Sequence, residues 1–318
     1  MEPSALKQLS LRKNIDGLTL LHATNLAWSS TRCETEGHPI EYGIILGSLS
    51  SIVSAVPQPH FRGPKLDVAK LTCAKLIQSY GRLDEWSKSA LIIDRHTMKV
   101  EGIIQLSSLE VSDPYEYISG ITNSICIVTK RAYSVRIYYD AGFKIQYVFN
   151  RKSGVIEERI LEEFAPVLVE RQIRPEVAMK VLDACLRISE TRNGALILLG
   201  PLIDLDVLSE TAVKTMSRYV PEMIANLPLP NLMRYMIEDG ATWIDERGLV
   251  RGYGLTFMGP GGRHAIAKYI TSRSENTTAI VVSQDGEVTI FYQNTMKRLA
   301  SQMANDGLFN EEVASGEP

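Results

Sequence analysis

The sequence has almost no excess of either charge: 34 Lys and Arg stand against 37 Asp and Glu, a net of −3. Without a basic surplus it cannot take up a polyanion in bulk, because neutralising a phosphate backbone needs many clustered cations. Any nucleotide it holds must sit in a local site. Cysteine is scarce, with four residues (Cys33, Cys73, Cys126 and Cys185) and no CxxC pair. That argues against a zinc site or a dithiol motif. Cys73, Cys126 and Cys185 lie in apolar runs and read as small core residues. His22, His38, His60 and His96 have no partner at ligand spacing and read as structural or solvated. An uncharged stretch, Tyr42 to Gln58, is interrupted by Gly, Ser and Pro. It falls short of the ~20 apolar residues that span a bilayer. The opening residues MEPSALKQLSLRKNIDG lack the charged-then-apolar layout of a secretory signal. These absences predict a cytoplasmic chain with no membrane or nucleic-acid partner. There is also no GKS/T phosphate loop and no GxGxxG fingerprint after a strand.

What is present suits a large buried core: 45% of residues are hydrophobic and 22% charged, ordinary globular values. The chain's length predicts two domains at ~150 residues each. In the second half, apolar β-branched runs predict strands at 194–200, 241–245, 249–257, 278–283 and 287–292. Helices are expected at 175–191, 206–225, 230–238 and 263–272. The first opens with Pro175 and Glu176, as a helix start should, and Val177, Val181, Ala184, Cys185 and Ile188 form its apolar stripe. In the first half, strands are expected at 42–47, 89–94, 100–106, 124–130, 133–140 and 143–149, with a helix at 65–80. Tyr138 and Tyr139, on opposite faces of one strand, read as packing residues. The expected class is α/β, a mixed central sheet flanked by helices. The charged, partly helical stretch 151–175 reads as a connector. The expected domains are therefore 1–170 and 171–305, followed by an acidic tail at 306–318.

The two halves run in parallel. Gly47 to Asp94 spans 47 residues and Gly200 to Asp245 spans 45; Asp94 to Thr129 spans 35 and Asp245 to Ser283 spans 38. The order strand, helix, strand, strand, helix, strand, strand is common to both. This predicts two copies of one α/β unit, the first diverged.

Three segments of the second half carry candidate chemistry. Asp239-Gly240-Ala241 joins a helix to a strand. Gly259-Pro260-Gly261-Gly262-Arg263-His264 is a glycine-rich loop entering a helix. Ser283-Gln284-Asp285-Gly286 ends a strand. Consecutive glycines let a backbone approach a ligand closely, and a helix N-terminus offers unpaired N–H groups to an anion. Arg263 adds a fork of donors for phosphate oxygens, His264 a donor or metal ligand, and Asp239 a metal ligand or general base. A nucleotide triphosphate with a divalent cation would satisfy all of these. Plain turns and a solvated helix start would produce the same residues.

Residues from about 176 to 300 resemble the diadenylate cyclase domain, the nucleotide-binding domain of the DNA-integrity scanning protein and its relatives. The resemblance rests on GALILLG at 194–200, the DGA triplet at 239–241 with its following strand, GGRHAIA at 261–267 and IVVSQDGEVTIFY at 280–292. It implies condensation of two ATP molecules to cyclic di-AMP with release of pyrophosphate, assisted by manganese or magnesium. Each domain would hold one ATP, and two would face each other in a homodimer or higher assembly. Asp239 would lie near the 3′-hydroxyl and the metal, with His264 as a further metal ligand. Arg263 and His264 would hold phosphates. Gly240, Ala241, Gly261, Gly262, Ser283 and Gln284 would line the nucleotide. The sequence departs from the family at Gly262, where a threonine is expected, at Ala265 for a second arginine, and at Gln284 for an acid. Losing these groups points to weak turnover or to a sensor that binds ATP or cyclic di-AMP without converting it, while keeping Asp239 and the Arg263-His264 pair favours activity. The helix-hairpin-helix tail of the scanning proteins is not apparent.

If the halves are copies, Lys88-Ser89-Ala90 replaces the DGA triplet and Ser112-Asp113-Pro114-Tyr115 replaces the Arg-His loop. The first copy would then be catalytically silent. It would fit the regulatory, sensor-like N-terminal domain that such cyclases often carry.

Overall fold

The computed structural model describes residues 5–31, 34–35, 38–39, 42–56, 60–61, 66–68, 89–106, 109, 111, 113–130, 134–150, 155–191, 193–201, 222–257 and 262–302. The chain divides into two compact units. The first comprises Met1–Phe149, Ile156–Glu158 and Gln302–Pro318; the second comprises Asn150–Val155 and Arg159–Ser301. The division runs through the stretch read as a connector, whereas the sequence placed a boundary near residue 170. The expected acidic tail at 306–318 lies outside the described residues, as does nearly all of the helix expected at 65–80.

The first unit opens with helices α1 (Ala5–Lys13) and α2 (Gly17–Ser30), neither anticipated from the sequence. Asp16 caps α2 by accepting from the Thr19 amide at 2.8 Å, satisfying one orphan N–H of its first turn. A short pair, β1 (Glu34–Thr35) and β2 (His38–Pro39), is separate from the main sheet. That sheet is built on β3 (Gly43–Leu46), β4 (His60–Phe61), β5 (Ser89–Ile93), β6 (Val100–Gln105), β7 (Ile125–Lys130), β8 (Ser134–Tyr138) and β9 (Phe143–Asn150). Their order is β4-β6-β5-β3-β7-β8-β9, extended past β9 by β10 (Val155–Ile160) and β18 (Ser301–Gln302). Strands β3 and β5 are parallel, and β3 and β7 antiparallel. Helices α3 (Leu49–Ala55) and α4 (Pro114–Thr122) follow β3 and β6. Every residue of β3, β5 and β8 is buried; strands covered on both faces read as unbroken apolar runs. Tyr138 and Tyr139 are both buried, which fits packing roles.

Helix α5 (Leu161–Val169) lies within the expected connector and α6 (Pro175–Ser189) is the second unit's long helix. All five stripe residues of α6, from Val177 to Ile188, are buried. The second sheet comprises β11 (Ala195–Leu199), β12 (Glu222–Met223), β13 (Ala241–Ile244), β14 (Leu249–Leu255), β15 (Thr278–Val282), β16 (Val288–Tyr292) and β17 (Thr295–Arg298). Its order is β12-β14-β13-β11-β15-β16-β17. Helices α7 (Leu229–Ile237) and α8 (Arg263–Arg273) complete the unit. The helix expected at 206–225 lies mostly outside the described residues. Its last part is corrected: Glu222–Met223 is a strand paired with β14. Strand β17 was not anticipated because it is a polar edge strand with no apolar run.

The two sheets have the same topology. Strands β3 to β9 occupy the positions of β11 to β17 in the same order, and β11 and β13 are the one parallel pair of the second sheet among the described residues. The likeness extends to individual bonds. The Gly47 amide donates to Ile93 O at 3.0 Å, and the Gly200 amide to Ile244 O at 3.0 Å. The Asp94 amide donates to Lys99 O and the Asp245 amide to Leu249 O, both at 3.0 Å. Each aspartate then accepts amides of its own hairpin: Asp94 from His96 and Thr97 at 3.0 and 2.7 Å, Asp245 from Arg247 and Leu249 at 3.0 and 2.9 Å. Gly47 thus corresponds to Gly200, and Asp94 to Asp245.

Candidate nucleotide site

The candidate residues gather at one end of the second sheet. In the register, Ala241 lies beside Leu196 and Leu196 beside Val281. Asp239 precedes Ala241 by two residues and Ser283 follows Val281 by two. They therefore leave the same sheet end on strands flanking β11, about 10 Å apart at ~4.8 Å per strand step. Leu255, which pairs with Ala241, leads into the glycine loop. Gly259, Pro260 and Gly261 lie outside the described residues. The loop returns at Gly262, and α8 begins at Arg263.

Helix α8 has Gly262 at its N-cap, and among the described residues no side chain accepts from the first turn. Its leading amides are therefore available to an anion. Gly262 has φ +98° and ψ 144°, a region essentially restricted to glycine. A β-branched threonine would be strained there. Ala265 is exposed and adds no charge to the helix start.

The Arg263 guanidinium lies over Gly194, just before β11; a Cβ at Gly194 would collide with it. Among the described residues no carboxylate pairs with Arg263. His264 is exposed, with its ring edge-on to Phe291 at 5.8 Å. A cavity of about 440 Å³ is lined by Arg263, His264, Val281, Val282, Ser283, Gln284 and Asp285. The turn along its wall is internally tied. Gly286 N donates to Ser283 O at 3.0 Å and Ser283 N to Glu287 O at 2.8 Å. The Ser283 hydroxyl donates to the Asp285 carboxylate and accepts from Glu287 N at 3.1 Å.

Asp239, Gly240 and Ala241 do not line that cavity. Asp239 is exposed. Gly240 has φ +112°, and a Cβ there would lie 2.6 Å from Leu255 O, so the neighbouring strand alone demands glycine. Ala241 is 1% exposed and packs in one apolar cluster with Leu196, Leu255, Ala267 and Phe291. Its small side chain and Ala267 let α8 settle against the sheet, placing the helix start and Arg263. Sequence reasoning named Gly194 only as part of a strand motif and gave Asp285 no role. The three-dimensional signal for both is the cavity and the arginine above it.

The corresponding place in the first unit is closed. Asp113 caps α4, accepting from the amides of Tyr115 and Glu116 at 3.1 and 3.3 Å. Those are the groups left open on α8. The Tyr115 ring lies where a Cβ at Gly43 would be. Its hydroxyl donates to Ser89 O at 3.3 Å, and Ser89 corresponds to Gly240.

Residues 182–296 match the DAC family, described as the nucleotide-binding domain of the DisA bacterial checkpoint controller. Among solved structures, a double mutant of DacA from Staphylococcus aureus is similar at 20% identity. The likeness covers 40% of this chain and 87% of that one, with a TM-score of 0.32. A hypothetical membrane spanning protein from Bacillus cereus is similar at 19% identity, over 43% and 71% of the two chains, with a TM-score of 0.33. No curated protein matches the chain. Among the described residues, no helix is long and apolar enough to cross a membrane.

Proposed function

We propose that the domain at 182–296 is a diadenylate cyclase, condensing two ATP molecules into cyclic di-AMP. The observation that carries the proposal is the convergence on one cavity of an open helix start, Arg263, His264 and Ser283, at the sheet end that also carries Asp239. Arg263 and the α8 amides hold the triphosphate. Asp239 takes the proton of the ribose 3′-hydroxyl. That oxygen bonds to the α-phosphorus of the second nucleotide while the bond to pyrophosphate breaks; repeating the exchange closes the ring and releases a second pyrophosphate. Because each nucleotide attacks the other, two copies of the domain must face each other, which a two-fold homodimer supplies. Phosphoryl transfer asks mainly for positioning and charge stabilisation.

A divalent cation fits this donor set on one condition. No cluster of three or more His, Cys, Asp or Glu able to hold a metal exists among the described residues. Magnesium, however, is ordinarily held by one or two carboxylates plus substrate phosphates. Asp239 would be the carboxylate, with His264 a second ligand where manganese is used. The cation would neutralise charge on the phosphates.

The experiment is incubation of the full chain with ATP and manganese, resolving products by chromatography. Cyclic di-AMP is expected, and Asp239→Asn should lower its yield at least 100-fold. An unchanged yield would remove Asp239 from its role. The second reading, a nucleotide sensor without turnover, is favoured by Gly262 and Ala265, which supply neither hydroxyl nor charge. It wins if ATP or cyclic di-AMP binds and no product forms.

A further inference from the structure

We infer that Arg159, which lies outside the family match, is a positioning residue for the Ser283–Gly286 turn. The inference rests on the proposed nucleotide site, whose wall that turn forms. Arg159 is 2% exposed and comes from β10, far from the turn in sequence. Its Nη2 donates to Gly286 O at 3.0 Å and its Nη1 to Ser189 Oγ at 3.0 Å. Ser189 is the last residue of α6, and its hydroxyl donates to Leu186 O at 2.6 Å. The guanidinium therefore bridges a helix C-terminus, where positive charge is favourable, to the carbonyl that ends the turn.

Burying an obligate cation is unfavourable unless its donors are used, and here two donors fix two different elements. Gly286 sits at φ +91°, with Ser189 O only 3.0 Å from where a Cβ would be. The turn is thus pressed against the end of α6 and held there by Arg159. From that anchorage Ser283, Gln284 and Asp285 face the cavity. A fork of donors is what this needs, because one planar group must satisfy two acceptors at fixed separation. Lysine offers a point charge on a flexible stem and can serve one of them. Displacement of reacting groups by ~1 Å can cost 10²-fold in rate, so loosening this turn reaches the chemistry without any contact to substrate.

The test uses the full chain carrying Arg159→Lys, with Arg159→Ala beside it in case the lysine variant alone is ambiguous. Hydrogen exchange at residues 283–287 should speed at least 10-fold in Arg159→Lys with global unfolding little changed. With ATP and manganese, kcat should fall 10- to 100-fold while the ATP dissociation constant moves less than 3-fold. A merely structural role would lower the folded fraction and leave kcat per folded molecule intact. Unchanged exchange at 283–287 overturns the assignment, whether or not the wild-type chain is active. So does unchanged kcat where the wild type makes product. A wild type that neither binds nor converts ATP defeats the cyclase proposal instead, and the exchange data still decide what Arg159 holds.

Discussion

At Gly194 the missing side chain is what leaves room for the Arg263 guanidinium, since a Cβ would meet the guanidinium and lie 3.3 Å from Val282 O. The far end of an arginine can move, so Gly194→Ala should leave the fold intact and displace the cation. We expect a melting temperature within a few degrees of wild type and an ATP affinity about 10-fold weaker, roughly 1.4 kcal/mol. Calorimetric titration reads both the affinity and the unchanged stoichiometry; equal affinity would take Arg263 off the phosphate. Much at this scale was legible in the sequence. Asp239, Arg263, His264 and Ser283 stood out because their residue types imply chemistry in any turn or helix start. Gly194, Arg159 and the steric demand on Gly240 were not legible. Each follows from what another element brings close in space, and no local pattern records that. The cysteines illustrate the easy case. Burial pushes the thiols of Cys126 and Cys185 well up from their usual value, so their placement in apolar runs already implied inert side chains.

Among the elements, the two Asp-headed hairpins show how a local bond sets a strand pair. Burial alone pushes the Asp94 carboxyl up, but the amides of Thr97 and His96, the Thr97 hydroxyl and the charge of His96 bring it below the ordinary value. A carboxyl lowered in the fold stabilises the folded state above its unfolded pKa of ~3.9, and that contribution disappears as pH falls through the folded value. Asp94→Ala should therefore destabilise the protein by about 1 kcal/mol at pH 7. The difference should shrink as pH falls below ~3.9 in denaturant titrations. A gap that stays constant with pH would show the loss to be one of shape. Central strands and amphipathic α6 were readable because burial on one or both faces imposes an apolar pattern. Strands β10 and β17 were not, since β10 mixes Glu157, Glu158 and Arg159 among its apolar residues and β17 is a polar edge. Helices α1 and α2 escaped for a related reason: α2 is broadly apolar, with exposed Leu18 beside buried Leu20 and Ala23, and shows little periodicity.

Over the whole chain, one sheet plan occurs twice and only one copy leaves its helix start open. Asp113 supplies the first unit with its own anion, and Tyr115 occupies the space beside β3. Titration with a non-hydrolysable ATP analogue should therefore find one site per chain. Two sites would mean that Asp113 and Tyr115 move aside and that the first unit binds nucleotide as well. The repeat was legible as matched spacings between Gly47 and Asp94 and between Gly200 and Asp245. Its proof needed the strand order and the paired hydrogen bonds, because spacing alone cannot say which strand lies beside which. The repeat has a practical consequence. Each unit is a built-in control for the other, because subtracting one from the other separates architecture from chemistry within a single molecule. Gly47 and Gly200, or Asp94 and Asp245, cancel and belong to the scaffold. Asp113 against Gly262 and Ser89 against Gly240 do not cancel, and what remains is the short set of exchanges that a builder would make to open a second site or close the first.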